Sequence, residues 1–600
     1  MSSECAPPRP PFRLTIGVTG HRSNNIANRS LAPIERRLAE VLSAISAAAD
    51  AVLANEGEYF APGPAKIALV SPLADGADQI AAEAALAQGF SLEAVLPFGR
   101  ADYGVDFDPT ARTQFDDLLA RATSIVELPG TRASEHDAYL MAGRATLSHS
   151  DLLIAVWDGQ DSRGIGGTAE IVQLALVAGQ PIIHVSTDAD TPVSILWSGF
   201  DPHVVTTHHN RASAERPFDA ETLDAVLTRL LAPPEDPCER GFLKCYFAER
   251  ERRLLPRIEY PLMLALTGVR RFSRGSWRAE SYAATTSGEW LPFHEQCVDR
   301  HGVAADIDPL EQGYSWADLL ARHFAQSYRS GHVFNFLVGA FAVVVGLTHL
   351  LWHDGKMVLA ILEFGAVLAV IVNTRRGRAQ GWHRRWLDYR QLAERLRPMR
   401  SFKLLGLASP DGPGACASQP RWTDWYAGAM WRAMGSPTGR IAADGSLRLA
   451  HALSAHELAP QIAYHRDNAE QVELLDHRLH LIGTSLFVIT ILNCIVLIVG
   501  YVVAEQWTVD QAAGFIFLSA GLPALGTAIF GIRVQGDFSG TAARSRTTAQ
   551  KLEAIVAVLA ADDPDLSRAS DLFEQASRAM LAELSEWRLA HQQHDLVIPA

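Results

Sequence analysis

The chain has 600 residues, 48% of them hydrophobic, and a formal net charge of −14 from 53 Lys and Arg against 67 Asp and Glu. That length exceeds one ordinary domain, and the acidic balance argues against a general nucleic-acid binder, which needs a basic surface. The six cysteines (Cys5, Cys238, Cys245, Cys297, Cys416 and Cys494) form no C-x-x-C pair. Neither a zinc framework nor a disulfide scaffold is expected, and a reducing compartment fits.

Residues 1–10 are Pro-rich without an apolar run, which predicts a disordered tail and no signal peptide. Residues 11–190 alternate short β-rich runs with Ala-rich helical patterns. Strands are expected at Arg13–Val18, Lys66–Val70, Leu92–Leu96, Ser124–Leu128, Asp151–Trp157 and Pro181–Val185. Helices are expected at Ile34–Leu53, Ala77–Ala87, Thr113–Ala122, Ala138–His149 and Ala169–Ala178. The alternation predicts an α/β domain with a Rossmann-like parallel sheet covered by helices on both faces. Such sheets bind ligands at the carboxyl ends of their strands.

Those ends are rich in glycine and charge. The first strand leads through Gly17, Thr19 and Gly20 into His21 and Arg22, and the second into Asp75, Gly76 and Asp78. The fifth leads into Asp158, then Gly166, Gly167, Thr168 and Glu170 at the start of a helix. Glycine lets backbone approach a ligand, and a helix N-terminus favours phosphate. The pattern predicts a nucleotide-type ligand, with His21 and Arg22 as donors and the aspartates on ribose hydroxyls. No other cofactor and no metal is expected; the pair His208–His209 lacks ligand spacing.

Residues 191–330 read as a helical connector: loop over Thr191–Asp201, a charged helix over Glu239–Arg253, and an apolar Pro-broken stretch at Pro256–Val269. That last stretch is expected to be core rather than a headgroup contact. Two pairs of apolar runs follow, Val333–Leu351 with Met357–Val372 and Leu481–Val503 with Ala512–Ile532. A bilayer core takes about 20 apolar residues of helix, so an all-α region of two transmembrane hairpins and four spans is predicted. The hairpins occupy residues 331–400 and 481–600 with their following helices, and residues 401–480 form a loop and helix between them, whose aromatics Trp422, Trp425, Tyr426 and Trp431 are expected to be core or an interfacial anchor rather than a ligand cage. Arginines such as Arg329, Arg375, Arg376, Arg478 and Arg533 flank the outer ends of the hairpins. The positive-inside bias then puts both termini in the cytoplasm of a multi-pass inner (plasma) membrane protein. Within the spans, Glu363, Asn335 and Asn493 are the polar residues expected to line a pore or bridge helices.

The motifs GVTGHR, LADGAD and DLLIAVWDG followed by GGTAE resemble the SLOG superfamily of Rossmannoid domains, related to DprA and LOG-type proteins. The resemblance covers residues 11–190 and implies nucleotide binding at the three loops above. One departure stands out. LOG-type phosphoribohydrolases carry P-G-G-x-G-T-x-x-E with a catalytic glutamate, whereas a single residue separates Thr168 from Glu170 here. On a helix that shift turns the carboxylate by about 100°. The hairpins with their flanking helices resemble SLATT membrane modules. Together these resemblances imply a nucleotide-triggered, pore-forming effector in bacterial defence, acting as a homo-oligomer in a lipid bilayer, without nucleic acid as a partner. The alternative is a membrane-tethered nucleotide or nucleoside hydrolase using Glu170 and Asp158.

Overall fold

The computed structural model describes residues 6–23, 31–160, 167–200, 214–298, 300–352, 354–408, 410, 421–561 and 563–591. Six short aliphatic runs form the parallel centre of a sheet: β1 (Arg13–Gly20), β2 (Lys66–Ser71), β3 (Ser91–Leu96), β4 (Ser124–Glu127), β5 (Leu152–Trp157) and β6 (Ile182–Ser186). β5 reads Leu-Leu-Ile-Ala-Val-Trp and is buried along its whole length, as a strand covered on both faces must be. Between these strands lie α1 (Ala32–Glu56), α2 (Ala77–Ala87), α3 (Pro109–Arg121), α4 (Glu135–Ser148) and α5 (Thr168–Val177). The apolar stripe of α1, from Ile34 through Leu38, Leu42 and Ile45 to Val52, is buried in the sheet's core. The strand order 6-5-1-2-3-4 reverses between β1 and β5.

The sheet is mixed, not purely parallel as expected. β7 (Ser194–Leu196) pairs antiparallel with β6, and β8 (Glu215–Pro217) with β7. β7 falls in the stretch Thr191–Asp201 expected to be loop. Its three residues are too few to show an alternating pattern, and backbone pairing to β6 and β8 makes them a strand. At the other edge, β9 (Val303–Ala304) and β10 (Thr438–Arg440) come from far along the chain, with β10 parallel to β4.

The helix expected over Glu239–Arg253 spans Pro237–Phe247, with the Asp236 carboxylate accepting from the Cys238 N–H at its start. Past its end the Glu249 carboxylate is buried and accepts from Arg385 and the Tyr389 hydroxyl, so tertiary contacts shape the backbone there. The stretch Pro256–Val269 holds one short helix, α6 (Glu259–Leu266). The expectation of core holds only on one side of it: Met263 and Thr267 are buried and Tyr260, Leu264 and Val269 pack with Met263, while Leu262 and Leu266 are 45% and 81% exposed. The helix lies on a flank, with neighbours on one side alone.

The second half is built on two long helices, α7 (Asp308–Thr348) and, further on, α11. Between them run α8 (Lys356–Ala379), α9 (Trp382–Leu396) and α10 (Trp422–Ala433); then come α11 (Ala459–Val503), α12 (Ala512–Gly536), α13 (Phe538–Ala561) and α14 (Leu566–His591). At about 1.5 Å per residue α7 and α11 are each roughly 60 Å long or more. The first half of α7 is embedded, with Tyr314, Leu320 and Phe324 buried; its second half exposes Leu337, Phe341 and Val343. The end of the expected connector and the first span are thus one rod. The aromatics of α10 are core, with Trp422 and Tyr426 fully buried.

Among the described residues, five helical stretches are long and apolar enough to cross a membrane: Ala32–Tyr59, Asp308–Thr348, Lys356–Leu405, Asp444–Val503 and Ala512–Ala561. The first contains α1, which lies on the sheet. The other four bundle together and present exposed Ile361, Phe364, Ile491, Leu492, Ile498 and Phe530 outward. A soluble surface does not carry so large an apolar belt.

Candidate functional site at the strand-order reversal

The three expected loops meet where the strand order reverses. β1 ends at Gly20, and the His21 N–H donates to the Val156 carbonyl of β5 at 3.1 Å. The His21 carbonyl accepts from the Ala77 N–H, the first residue of α2, at 3.2 Å. The backbones of β1, β5 and α2 therefore lock together through His21. A Cβ on Gly20 would lie 2.4 Å from the Cβ of Ala77, so only glycine lets α2 start this close to β1. Gly76 has φ +99°, and a Cβ there would come within 2.5–2.8 Å of the backbone of His21, Arg22 and Ser23. Gly17 and Thr19 lie within β1; Gly17 packs beside Ser150 and Thr146 at the other end of the strand.

The charged residues of these loops face one another. Asp158 Oδ1 lies 3.2 Å from His21 Nε2. The Asp75 carboxylate accepts from the Ser23 hydroxyl. The Arg22 guanidinium stands 4.9 Å over the ring of Tyr139, and the Tyr139 hydroxyl donates to Asp106, which also pairs with Arg132 at 2.7 Å. Asp78 differs from its neighbours. Its side chain is buried, one oxygen has no hydrogen-bond partner, and burial pushes its pKa up to about 7 against the pull of the Ala74 backbone and Arg22.

On the other side, Gly167 precedes α5, and Glu170 sits in its first turn with its N–H donating to the Gly167 carbonyl at 3.0 Å. α5 packs on β5 and β1. Gly166 lies outside the described residues, as do His208 and His209. The structure thus brings together Gly20, His21, Arg22, Asp75, Gly76 and Asp158 at the carboxyl ends of β1 and β5, buries Asp78 beside them, and places Gly167, Thr168 and Glu170 at a second helix start on the same end of the sheet. Ser23, Asp106, Arg132 and Tyr139 were not among the expected residues. Arg132 and Tyr139 follow β4 in a stretch without glycine clusters, and only the fold carries them to Arg22. His294, Asp308 and Glu311 place ligand-type atoms within 4.8 Å of one another, with His294 and Glu311 3.7 Å apart; these are the described residues positioned to hold a cation.

The polar residues within the apolar helices have partners. Asn335 donates to Thr374 at 2.9 Å and accepts from Asn373 at 2.7 Å, and Asn373 accepts from Arg257 at 2.7 Å. Asn493 donates to Ser519 at 2.8 Å and to the Phe515 carbonyl at 3.0 Å. The Glu363 carboxylate lies against Gly346 on α7, about 3.3 Å from where a Cβ would stand. Nε2 of His349, just past the end of α7, is buried and makes no hydrogen bond among the described residues.

Fold and site together define a class: a Rossmann-like α/β unit continuous with apolar helices suited to a membrane. Residues 312–401 match a family described as Protein of unknown function (DUF4231). The match covers most of α7, all of α8 and α9, and hence the first hairpin with Asn335 and Glu363. No curated protein is significantly similar to the chain.

Proposed function

We propose that the protein is a membrane-bound sensor-effector of the SLOG–SLATT type. A nucleotide-type signal binds on the cytoplasmic face at the β1–β5 reversal and controls a four-span transmembrane module that opens or assembles a pore as a homo-oligomer. The setting is the inner membrane of a bacterium, with both termini cytoplasmic and a role in defence. The observation that carries the reading is a convergence: His21, Asp158, Asp75 and Gly76 meet where the strand order reverses, the position at which open α/β sheets take nucleotides. Support for four spans rather than five comes from α1, whose apolar stripe is used against the sheet. Signal transfer needs tighter binding to the active state than to the resting one. The rods α7 and α11 supply the mechanical path, because each is one continuous helix from core to apolar belt.

The test uses the full chain in detergent against a nucleotide panel by thermal shift, with ligand integrity checked afterwards, then dye release from proteoliposomes. An intact ligand that raises the Tm and triggers release is the expected outcome. Consumption of the nucleotide moves the assignment to a hydrolase using Glu170 and Asp158. No response to any nucleotide overturns the sensor.

A further inference from the structure

The segment from Leu254 to Arg278 is the most exposed apolar stretch outside the bundle. Leu254, Leu262, Leu266, Phe272 and Trp277 are each between 42% and 81% exposed. Interleaved with them are Arg270, Arg271 and Arg274, which are exposed and make no ion pair among the described residues. Two of the nearby acids are engaged, Glu251 with Arg253 and Glu259 with Arg257.

The position of the segment matters as much as its composition. The buried face of α6, at Met263, packs on Val333, Leu475, Leu479 and Ile532. These residues mark the level at which both hairpins leave the core and their apolar belt begins. Two fastenings hold the segment there: Arg257 hydrogen-bonds Asn373 of α8, and Arg478 of α11 donates to the Thr267 carbonyl. Its outward face therefore continues the lipid-facing belt, with cations at the boundary.

We propose that residues 254–278 are an interfacial anchor for an anionic lipid surface, with Leu262, Leu266, Phe272 and Trp277 entering the headgroup–acyl boundary and Arg270, Arg271 and Arg274 on headgroup phosphates. Apolar area plus basic charge is the combination that such surfaces bind. The anchor rests on the membrane reading above. Because it is tied to α8 and α11, lipid charge bears on the packing of both hairpins.

The experiment places an environment-sensitive fluorophore on the full chain, with the other cysteines except buried Cys297 replaced, through Leu266→Cys, and through Trp277→Cys as a second position. Ile491→Cys on the belt and Val177→Cys at the exposed end of α5 serve as deep and wet references. The chain is reconstituted in phosphatidylcholine vesicles, with and without phosphatidylglycerol, carrying a spin-labelled quencher lipid. Quenching at 266 and 277 is expected to exceed that at 177 by about threefold or more, and to rise with phosphatidylglycerol. Arg270→Glu with Arg271→Glu abolishes that rise. Quenching at 491 but not at 266 and 277 overturns the anchor and leaves the membrane reading intact; no quenching at 491 overturns the membrane reading itself. A blue shift at 266 without quenching means that protein covers the segment, and a rise that survives the charge reversals removes the headgroup contact. Either result overturns the proposal.

Discussion

Gly76 and Asp78 sit two residues apart and respond to opposite physical demands. Gly76 combines a positive φ with backbone on the side where a Cβ would stand, so Gly76→Ala meets strain and collision together. The cost expected is about 2 kcal/mol or more, read as a lower Tm of the full chain with loss of nucleotide binding. Asp78 pays for burial instead. Its carboxyl stays protonated in the folded chain up to about pH 7, whereas in the unfolded chain it ionises near pH 4. The folded state binds more protons between those limits, so the stability contributed at this position is present at low pH, declines as pH rises toward about 7, and is then constant. Asp78→Asn cannot ionise. The Tm of the variant relative to the natural chain should therefore rise from pH 4 to about 7 and level off above it; a flat difference would refute the buried-acid assignment. The glycines and acids of these loops were legible in the sequence because loop chemistry is local. The burial of Asp78 was not, since Arg22 and Tyr103 reach it from two other segments.

At the scale of elements, α7 and α12 come close enough that a Cβ on Gly531 would lie 2.2 Å from the Phe336 ring, while Gly514 has open space. Gly531→Leu should cost about 1–3 kcal/mol by overpacking, and Gly514→Leu close to nothing. Thermal aggregation of the two variants in detergent compares them directly. Glu363, set against Gly346 between α7 and α8, belongs to the same hairpin interface. If the bundle conducts, Glu363→Gln should change conductance in planar bilayers without moving the nucleotide concentration for half-maximal response; a shift in that midpoint alone would place Glu363 in coupling instead. The parallel strands and long apolar helices were readable from continuous aliphatic runs. β7, β9 and β10 were not, because strands of two or three residues hold no periodicity and exist only through their pairing.

For the whole molecule, the α/β unit is closed by residues that follow it by hundreds of positions. Arg432 of α10 reaches the buried Asp151 at 3.1 Å, the Ser436 hydroxyl donates to Glu93, and Trp425 donates to the Leu231 carbonyl at 2.7 Å. Removing one partner from a buried ion pair costs about 3–5 kcal/mol. Arg432→Ala should thus lower the Tm of the full chain markedly, and a fragment of residues 1–200 should elute as aggregate in size-exclusion chromatography. A monomeric, cooperatively melting fragment would show that the sheet stands alone. The boundary expected at residue 190 followed the end of the βα alternation, a local signal blind to a core that runs on to Met580.

The sequence by itself determined the βα order, the apolar helices and the glycine loops, because periodicity, hydropathy and turn chemistry act over a few residues. Only the tertiary structure decided the reversal between β1 and β5, the use of α1 against the sheet, the mixed edges and the exposed flank of α6. Each of these depends on which distant surface a segment meets, and burial, not propensity, settles that choice.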